Sequence, residues 1–473
     1  MNYSISKGET VFYIFAFALA VVNLLSCNLP FFWDCMIESK RCMLYEQTGF
    51  QLILPQNLDA GHPPFFSWYL YISWLVMGKS LYASHLAMLP ILLGIALQLW
   101  GIAKKYIEKQ HHPILFVLLF FEPTFLAQST MISSDIVLVF FYLLAINQLS
   151  EKKNIWYFLA LVGLLFTNLR GMVMVGSLFF IDILIFGNYY KKNFKILLKS
   201  AVPYAIATFL FLILQLHHFY NTGWVLFTTS ENWSSGRELV GWKLILKNIA
   251  IIIHHFTDFG RFMLLLSLLI TFIVFLKKKI ELPTTTKRLF IFSFVTIFML
   301  SISFLPFSNP IGCRYFMVTY LLLILLFVNL LKVTDLKTTT KNILVILIVG
   351  NFIAGHFWVY PEKIAQSWDS SLLHLRYFPI KKAMDSYLIE NNIPLELTGT
   401  QFPYESPHST ELNGDTIIVK HFDFQKNSYI IYSNVTNDFT DNEIDLLHNE
   451  WKLLHEERNG SVFIQLYRKP EKK

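Results

Sequence analysis

An aspartate in an otherwise apolar chain is the first residue that could do chemistry. Asp34 stands in the segment Trp33-Asp34-Cys35-Met36-Ile37-Glu38, and the same polar stretch closes on Asp59-Ala60-Gly61-His62-Pro63-Pro64. A carboxylate held at the mouth of a membrane protein can act as a general base when a substrate hydroxyl comes within about 3 Å. Glu122, Asp135, Arg170, Arg261, Arg314 and Tyr315 follow along the chain. Arginines in such a set can hold a phosphate through charge-assisted hydrogen bonds, while His62, Glu122 and Asp135 can orient a loop or a polar substrate group. Each residue also has a simpler reading. Asp34, and Asp135 after Ser133-Ser134, fit helix N-caps. Glu122 fits an aqueous rim, and Arg170 and Arg314 could snorkel to headgroups. His217-His218 and His254-His255 read as interfacial histidines, because neither pair has a carboxylate at convincing metal-ligand spacing.

The elements that must position these residues are membrane helices. Of 473 residues, 54% are hydrophobic and only 15% charged, 45 are phenylalanine, and the mean hydropathy is +0.47. That composition excludes an ordinary soluble domain. The first apolar run, Val11 to Leu29, has no small-residue cleavage site after it and reads as a retained helix. Further runs lie near 81–103, 113–129, 133–150, 155–170, 171–187, 196–216, 261–276, 288–306, 314–331 and 342–359. Together they predict about eleven transmembrane helices of ~20 residues each. The net charge of +7 is no nucleic-acid signal, since the lysines sit in short loops: Lys104/Lys105/Lys109, Lys152/Lys153, Lys191/Lys192/Lys195, Lys277-Lys278-Lys279 and Lys332/Lys337/Lys341. These clusters alternate onto one side, which the positive-inside rule makes cytoplasmic. The N-terminus is then cytoplasmic and the chain's end extracytoplasmic. Phe65 to Met77 is too short for a straightforward span and reads as an interfacial or re-entrant helix started by Pro63 and Pro64.

Two regions result: a mainly α membrane domain, 1–359, with its first outer loop at 30–64, and a small α/β domain outside the membrane, 360–473. In the second, Thr416–Val419, Tyr429–Tyr432 and Val462–Tyr467 read as strands and Asp441–Glu457 as an amphipathic helix. Cys35 and Cys42 on one helix would be ~10 Å apart, too far for a disulfide. Under this topology Asp34, His62, Glu122, Asp135, Arg170, Arg237, Asp258, Arg261 and Arg314 all gather on the outer side. Ionisable residues at membrane-helix ends mark function by default.

The order of these motifs resembles the membrane-embedded glycosyltransferases of the C fold, such as the protein O-mannosyltransferases and the bacterial aminoarabinose (lipid A) transferases. Asp34 occupies the place of the family's catalytic acid in the first outer loop, and His62-Pro63-Pro64 resembles the mannosyltransferase HPP element. Glu122-Pro123, Gln128-Ser129 and Asp135 are similar to a mannosyltransferase run at the same offsets, and Arg314-Tyr315 is similar to an Arg-Tyr pair opening a late helix. The likeness covers residues 10–190 and, less closely, 305–332. The chain departs from the pattern at Cys35, where a second acid is frequent, and at Asn168, where the family has a lysine; Arg170 is the nearest replacement.

The resemblance implies a glycosyltransferase that moves a sugar from a polyprenyl-phosphate donor to an acceptor hydroxyl with inversion. Asp34 would be its base, and Arg170, Arg261 and Arg314 would hold the donor phosphate. The acceptor would be a lipid, glycan or protein at a bacterial inner membrane. A glycosidase would instead need two carboxylates ~5–9.5 Å apart flanking the bond. Asp34, Glu122 and Asp135 could gather round a divalent cation, but no local spacing calls for one. Two rivals are a lipid or small-molecule transporter or flippase, which predicts polar residues near helix centres, and a polysaccharide polymerase or ligase, which usually depends on a large outer loop.

Overall fold

The computed structural model describes residues 7–150, 155–225, 228, 230, 234–308, 311–405, 411–414, 417–436 and 438–470. Fifteen helices come first: α1 (Lys7–Leu25), α2 (Cys35–Thr48), α3 (Phe65–Met77), α4 (Leu81–Tyr106), α5 (His112–Phe121), α6 (Pro123–Ser129), α7 (Ser134–Gln148), α8 (Ile155–Thr167), α9 (Arg170–Lys192), α10 (Phe194–Thr222), α11 (Trp242–Thr257), α12 (Arg261–Lys277), α13 (Thr284–Phe304), α14 (Met317–Val333) and α15 (Thr338–Gly355). Among the described residues, seven helical segments are long and apolar enough to cross a membrane, or up to nine if each bent pair counts as one span. The pairs are α5 with α6, bent by 65°, and α11 with α12, bent by 84°. α7 and α8, the remaining two of the expected eleven spans, are apolar helices of 15 and 13 residues. Lys152 and Lys153 lie outside the described residues.

α14 is the axis of the bundle. Its sequence, MVTYLLLILLFVNLLKV, is apolar all round, and every residue from Met317 to Leu331 is buried. A helix with no polar face belongs in the interior, whereas α10, α11 and α13 leave many apolar side chains on the outside, as lipid contact requires. The polar ends sort along the same axis. α9 begins at Arg170 and ends on Lys191-Lys192, α12 begins at Arg261 and ends on Lys277, and α14 follows Arg314-Tyr315 and ends near Lys332. On these three helices arginines and lysines thus mark opposite ends.

Beyond α15, the chain makes two short 3-10 turns, Trp368–Ser370 and Leu372–Arg376, before α16 (Tyr377–Glu390). Five strands follow: β1 (Thr398–Thr400), β2 (Lys420–His421), β3 (Tyr429–Ser433), β4 (Lys452–Asn459) and β5 (Val462–Arg468), with α17 (Asp441–Glu450) between β3 and β4. They form one mixed sheet in the order β2-β1-β3-β5-β4. Alternation on β3 and β5 explains why both faces are covered. Ile431, Ile464 and Leu466 pack toward α16 and the main core, while Ile430, Tyr432, Phe463 and Tyr467 join Ile444 and Leu447 of α17 in a second core. Of the expected strands, β3 and β5 form, whereas residues 417–419 are not paired and Thr416 lies outside the described residues. The helix expected over Asp441–Glu457 stops at Glu450, capped by a Thr440–Glu443 capping box at its start, and Lys452–Asn459 is an edge strand instead. The cysteines are free and buried.

One corner of the bundle allows no side chain. A Cβ on Gly260 would overlap the Asn351 carbonyl oxygen, and one on Gly355 would overlap that of Phe259, so the α11–α12 bend and α15 touch backbone to backbone. Gly355→Ala should therefore cost about 1–3 kcal/mol of stability. A thermal unfolding midpoint in detergent equal to that of the wild type would contradict this close packing.

Candidate active site

Four helices begin at one place, and each contributes there from its first turn or the residue before it. Asp34 precedes α2, Asp135 lies in the first turn of α7, Arg170 opens α9, and Arg314-Tyr315 lies in the 3-10 turn that leads into α14. Arg314 is the hub. Its Nη2 pairs with Asp34, its Nε with Asp135 at 2.8 Å, and its Nη1 with Asp369 of the Trp368–Ser370 turn. Asp135 also takes Arg170 Nη2 at 2.6 Å. Arg170 stacks over the Tyr315 ring at 4.0 Å, with Arg314 at 5.3 Å from the same ring. A buried guanidinium needs partners on every edge, and here three carboxylates from distant parts of the chain supply them.

The three carboxylates are not equivalent. The Asp135 and Asp369 side chains are 6% and 5% exposed, while that of Asp34 is 60% exposed. Asp34 sits at the N-cap position of α2 but makes no capping hydrogen bond; its side chain turns to Arg314 instead. Ser133, not Asp135, caps α7, accepting the Asp135 N–H at 3.2 Å. Trp33 helps to aim Asp34. It lies in the left-handed region (φ 50°), which a bulky residue adopts at a cost of about 1–3 kcal/mol, and its ring packs edge-on against Phe402 of the sheet domain at 5.3 Å. Asp135, Leu138, Arg170, Met174, Arg314 and Val318 line a narrow cleft beside the cluster.

His62 works from the loop. Its Nδ1 accepts the Leu169 N–H at 3.5 Å, just before Arg170. Burial, and then the charges of Arg237, Arg41 and Arg170, push this imidazole well below its usual range, so the ring is neutral and able to accept. The loop is also pinned just before His62. Arg41 donates twice to the Leu58 carbonyl, at 2.9 and 3.1 Å, His218 pairs with Asp59 at 2.8 Å, and Arg237 donates to the Ala60 carbonyl. Gln128 Nε2 donates to the Asp369 carbonyl at 2.8 Å, and Thr130 bonds His374 at 3.1 Å, which docks the Asp369 turn onto the end of α6.

Glu122 and Arg261 lie apart from the cluster. They pair with each other at 2.6 Å, 0% and 1% exposed, so Glu122 faces no aqueous rim. Glu122 also caps α6 by accepting the Phe125 N–H at 2.6 Å. Arg261 donates to Thr124 and to Cys313 Sγ and stacks over Tyr320 at 3.9 Å. This pair is a clamp beneath Cys313, the neighbour of Arg314. Asp34, Glu122 and Asp135 therefore do not share one point, and the Arg314 guanidinium stands between Asp34 and Asp135. Asp369 is the member of the cluster that the sequence does not single out; its one signal is a carboxylate inside the polar run Trp368-Asp369-Ser370-Ser371, directly after the last apolar helix.

No family model and no curated protein matches the chain. The fold is nevertheless similar to that of solved structures. ArnT from Cupriavidus metallidurans bound to undecaprenyl phosphate superimposes with a TM-score of 0.54 at 11% identity, over 96% of this chain and 97% of that one. The same protein in its apo state gives a TM-score of 0.55 at the same identity and coverage. The likeness runs through both the membrane helices and the sheet domain.

The clamp makes a separable prediction. Arg261→Ala strands a buried carboxylate and should destabilise the protein by about 3–5 kcal/mol, while the double variant Glu122→Gln with Arg261→Met recovers most of that loss. Equal unfolding midpoints for the single variant and the wild type would show that the pair does not hold the bundle together.

Proposed function

We propose that this protein is a membrane glycosyltransferase that moves one sugar from a polyprenyl phosphate to an acceptor hydroxyl, with inversion at the anomeric carbon. The observation that carries the reading is the exposed Asp34 carboxylate resting on Arg314, at the joint N-terminal ends of α7, α9 and α14. The fold supports it, because ArnT, with the same architecture, binds undecaprenyl phosphate. Lysines mark the opposite end of the same helices, so the positive-inside rule supports an extracytoplasmic site in a bacterial inner membrane, with the N-terminus cytoplasmic and the sheet domain outside.

The reaction follows from the charges. Arg314 and Arg170 offer the donor phosphate two guanidinium groups, and the dipoles of three helix starts add positive potential. The phosphate displaces Asp34 from Arg314, as one anion replaces another, while Asp135 and Asp369 keep the guanidinium in place. Asp34, released, takes the proton of the acceptor hydroxyl. The acceptor oxygen then bonds to the anomeric carbon as the bond from that carbon to the phosphate oxygen breaks. The phosphate leaves as an anion and needs no acid. His62 holds the first loop against the start of α9, and Tyr315 holds Arg170 and Arg314 in stacked geometry. The charge cluster lies at helix ends, and Asp182, the buried carboxylate midway along α9, is occupied by the Tyr190 hydroxyl at 2.7 Å; this distribution weighs against a transporter.

Asp34→Asn should lower transfer on the order of 10²–10⁴-fold, the range of a lost general base, with undecaprenyl phosphate binding retained. Arg314→Ala should lose donor binding as well. Incubation of purified protein with a panel of polyprenyl-phosphate sugars, followed by the Asp34→Asn comparison on the sugar consumed, measures transfer, and undecaprenyl phosphate binding by wild type, Asp34→Asn and Arg314→Ala measures the donor contact. Full turnover by Asp34→Asn removes Asp34 from the role.

A further inference from the structure

We infer that His254, His255 and Asp258 form a binding site for a divalent transition metal of the Zn²⁺ type, at the bend between α11 and α12. The sequence hides it, because the histidines end one helix and the aspartate lies in the corner before the next. Asp258 caps α11 with its N–H on the His254 carbonyl at 2.8 Å, so the last turn of that helix brings the three together, with one donor atom from each within 4.8 Å of the others.

The hydrogen bonds around the cluster settle which atoms are available. His255 Nε2 lies 2.6 Å from the Ile311 carbonyl, which can only accept, so Nε2 carries the proton and Nδ1 keeps its lone pair. That Nδ1 is buried with no hydrogen-bond partner, in a residue 7% exposed. Tyr360 donates its hydroxyl proton to Asp258 Oδ1 at 2.7 Å, and the same oxygen takes the Phe259 N–H at 2.7 Å. Since the Tyr360 proton is committed, its oxygen accepts from His254 Nε2 at 3.1 Å, which again leaves Nδ1 with the lone pair. His254 Nδ1 and Asp258 Oδ2 face each other at 4.0 Å. Each of the three groups is thus held by a carbonyl, a hydroxyl or an N–H, which leaves Nδ1 of both histidines and Asp258 Oδ2 as the donors available to an ion. Metal-ligating histidines are oriented in this way, the second ring nitrogen donating to a carbonyl or similar group.

Two imidazole nitrogens and one carboxylate oxygen suit Zn²⁺ with a fourth position open. Bonds of about 2.0–2.1 Å require ligand atoms to close to roughly 3.3 Å in a tetrahedron. His254, its side chain 45% exposed, has room to move by that amount. The site also connects to the active site. His255 holds Ile311, three residues before Arg314, and the Asp258 carbonyl accepts from Arg261 Nη1 at 3.3 Å. A bound ion would stiffen the segment that presents Arg314; this consequence, unlike the site itself, rests on the glycosyltransferase reading.

The test uses tag-free, full-length protein in detergent, stripped with chelator and titrated with Zn²⁺ and then with Co²⁺. We expect one saturable equivalent of Zn²⁺ by elemental analysis and, with Co²⁺, the visible absorption of a four-coordinate ion. His254→Ala should lose both while eluting as the wild type does on size exclusion with the same metal-free unfolding midpoint, and His217→Ala, altered at an exposed histidine outside the cluster, should keep both. Failure of the wild type to retain Zn²⁺, or equal retention by His254→Ala, overturns the site. If transfer of sugar is never detected but Zn²⁺ binds as expected, the metal site stands and the proposed activity falls. If transfer is detected and is unaffected by metal, only the link to Arg314 is lost.

Discussion

One guanidinium organises the end of the bundle at which α2, α7, α9 and α14 begin. Arg314 stands at the head of the most deeply buried helix, where a charge is costly unless every edge is paired. Its partners come from the first loop, the start of α7 and the turn after α15. Because these segments are far apart in the chain, the ion cluster fixes their mutual positions as well as neutralising Arg314. The Glu122–Arg261 pair does the same one layer deeper, holding Cys313 and hence the turn that carries Arg314. Two stacked charge clusters thus tie the membrane helices to the first loop and to the sheet domain.

The asymmetry of the cluster is what makes it chemically useful. Two of its carboxylates are buried and serve as fixed counter-charges, while Asp34 faces solvent and is held by Arg314 alone among the described residues. An anion arriving at Arg314 competes with Asp34 and not with the buried pair. Under the proposed transfer, donor binding and release of Asp34 are then one event, which couples the two without any large movement. The loop anchors at Leu58, Asp59, Ala60 and His62 keep the rest of the first loop still while Asp34 changes partner.

Much of this architecture is legible in the amino-acid sequence. Apolar runs of spanning length locate the helices, and lysine parity puts Asp34, Asp135, Arg170 and Arg314 on one side, where they do meet. Burial is not legible. Glu122 and Arg261 look in sequence like any other acid and base near a membrane rim, and nothing local shows that they find each other across 139 positions. Asp369 stays hidden because polar residues after the last helix are expected in a water-facing tail. Lys452–Asn459 reads as a continuation of α17 because it is an edge strand: its half-exposed, charged side chains guard the sheet edge and imitate a helix surface. His254, His255 and Asp258 do not stand out as ligands because only the fold shows that the Ile311 carbonyl and the Tyr360 hydroxyl orient their rings and carboxylate.

The most direct measurement is a structure of the protein with undecaprenyl phosphate bound. The account predicts the phosphate within hydrogen-bonding distance of both Arg170 and Arg314, with the Asp34 carboxylate turned away from Arg314 toward open space and Asp135 and Asp369 unmoved. A phosphate bound elsewhere, or one at Arg314 with Asp34 still paired to it, would contradict the exchange on which the mechanism depends.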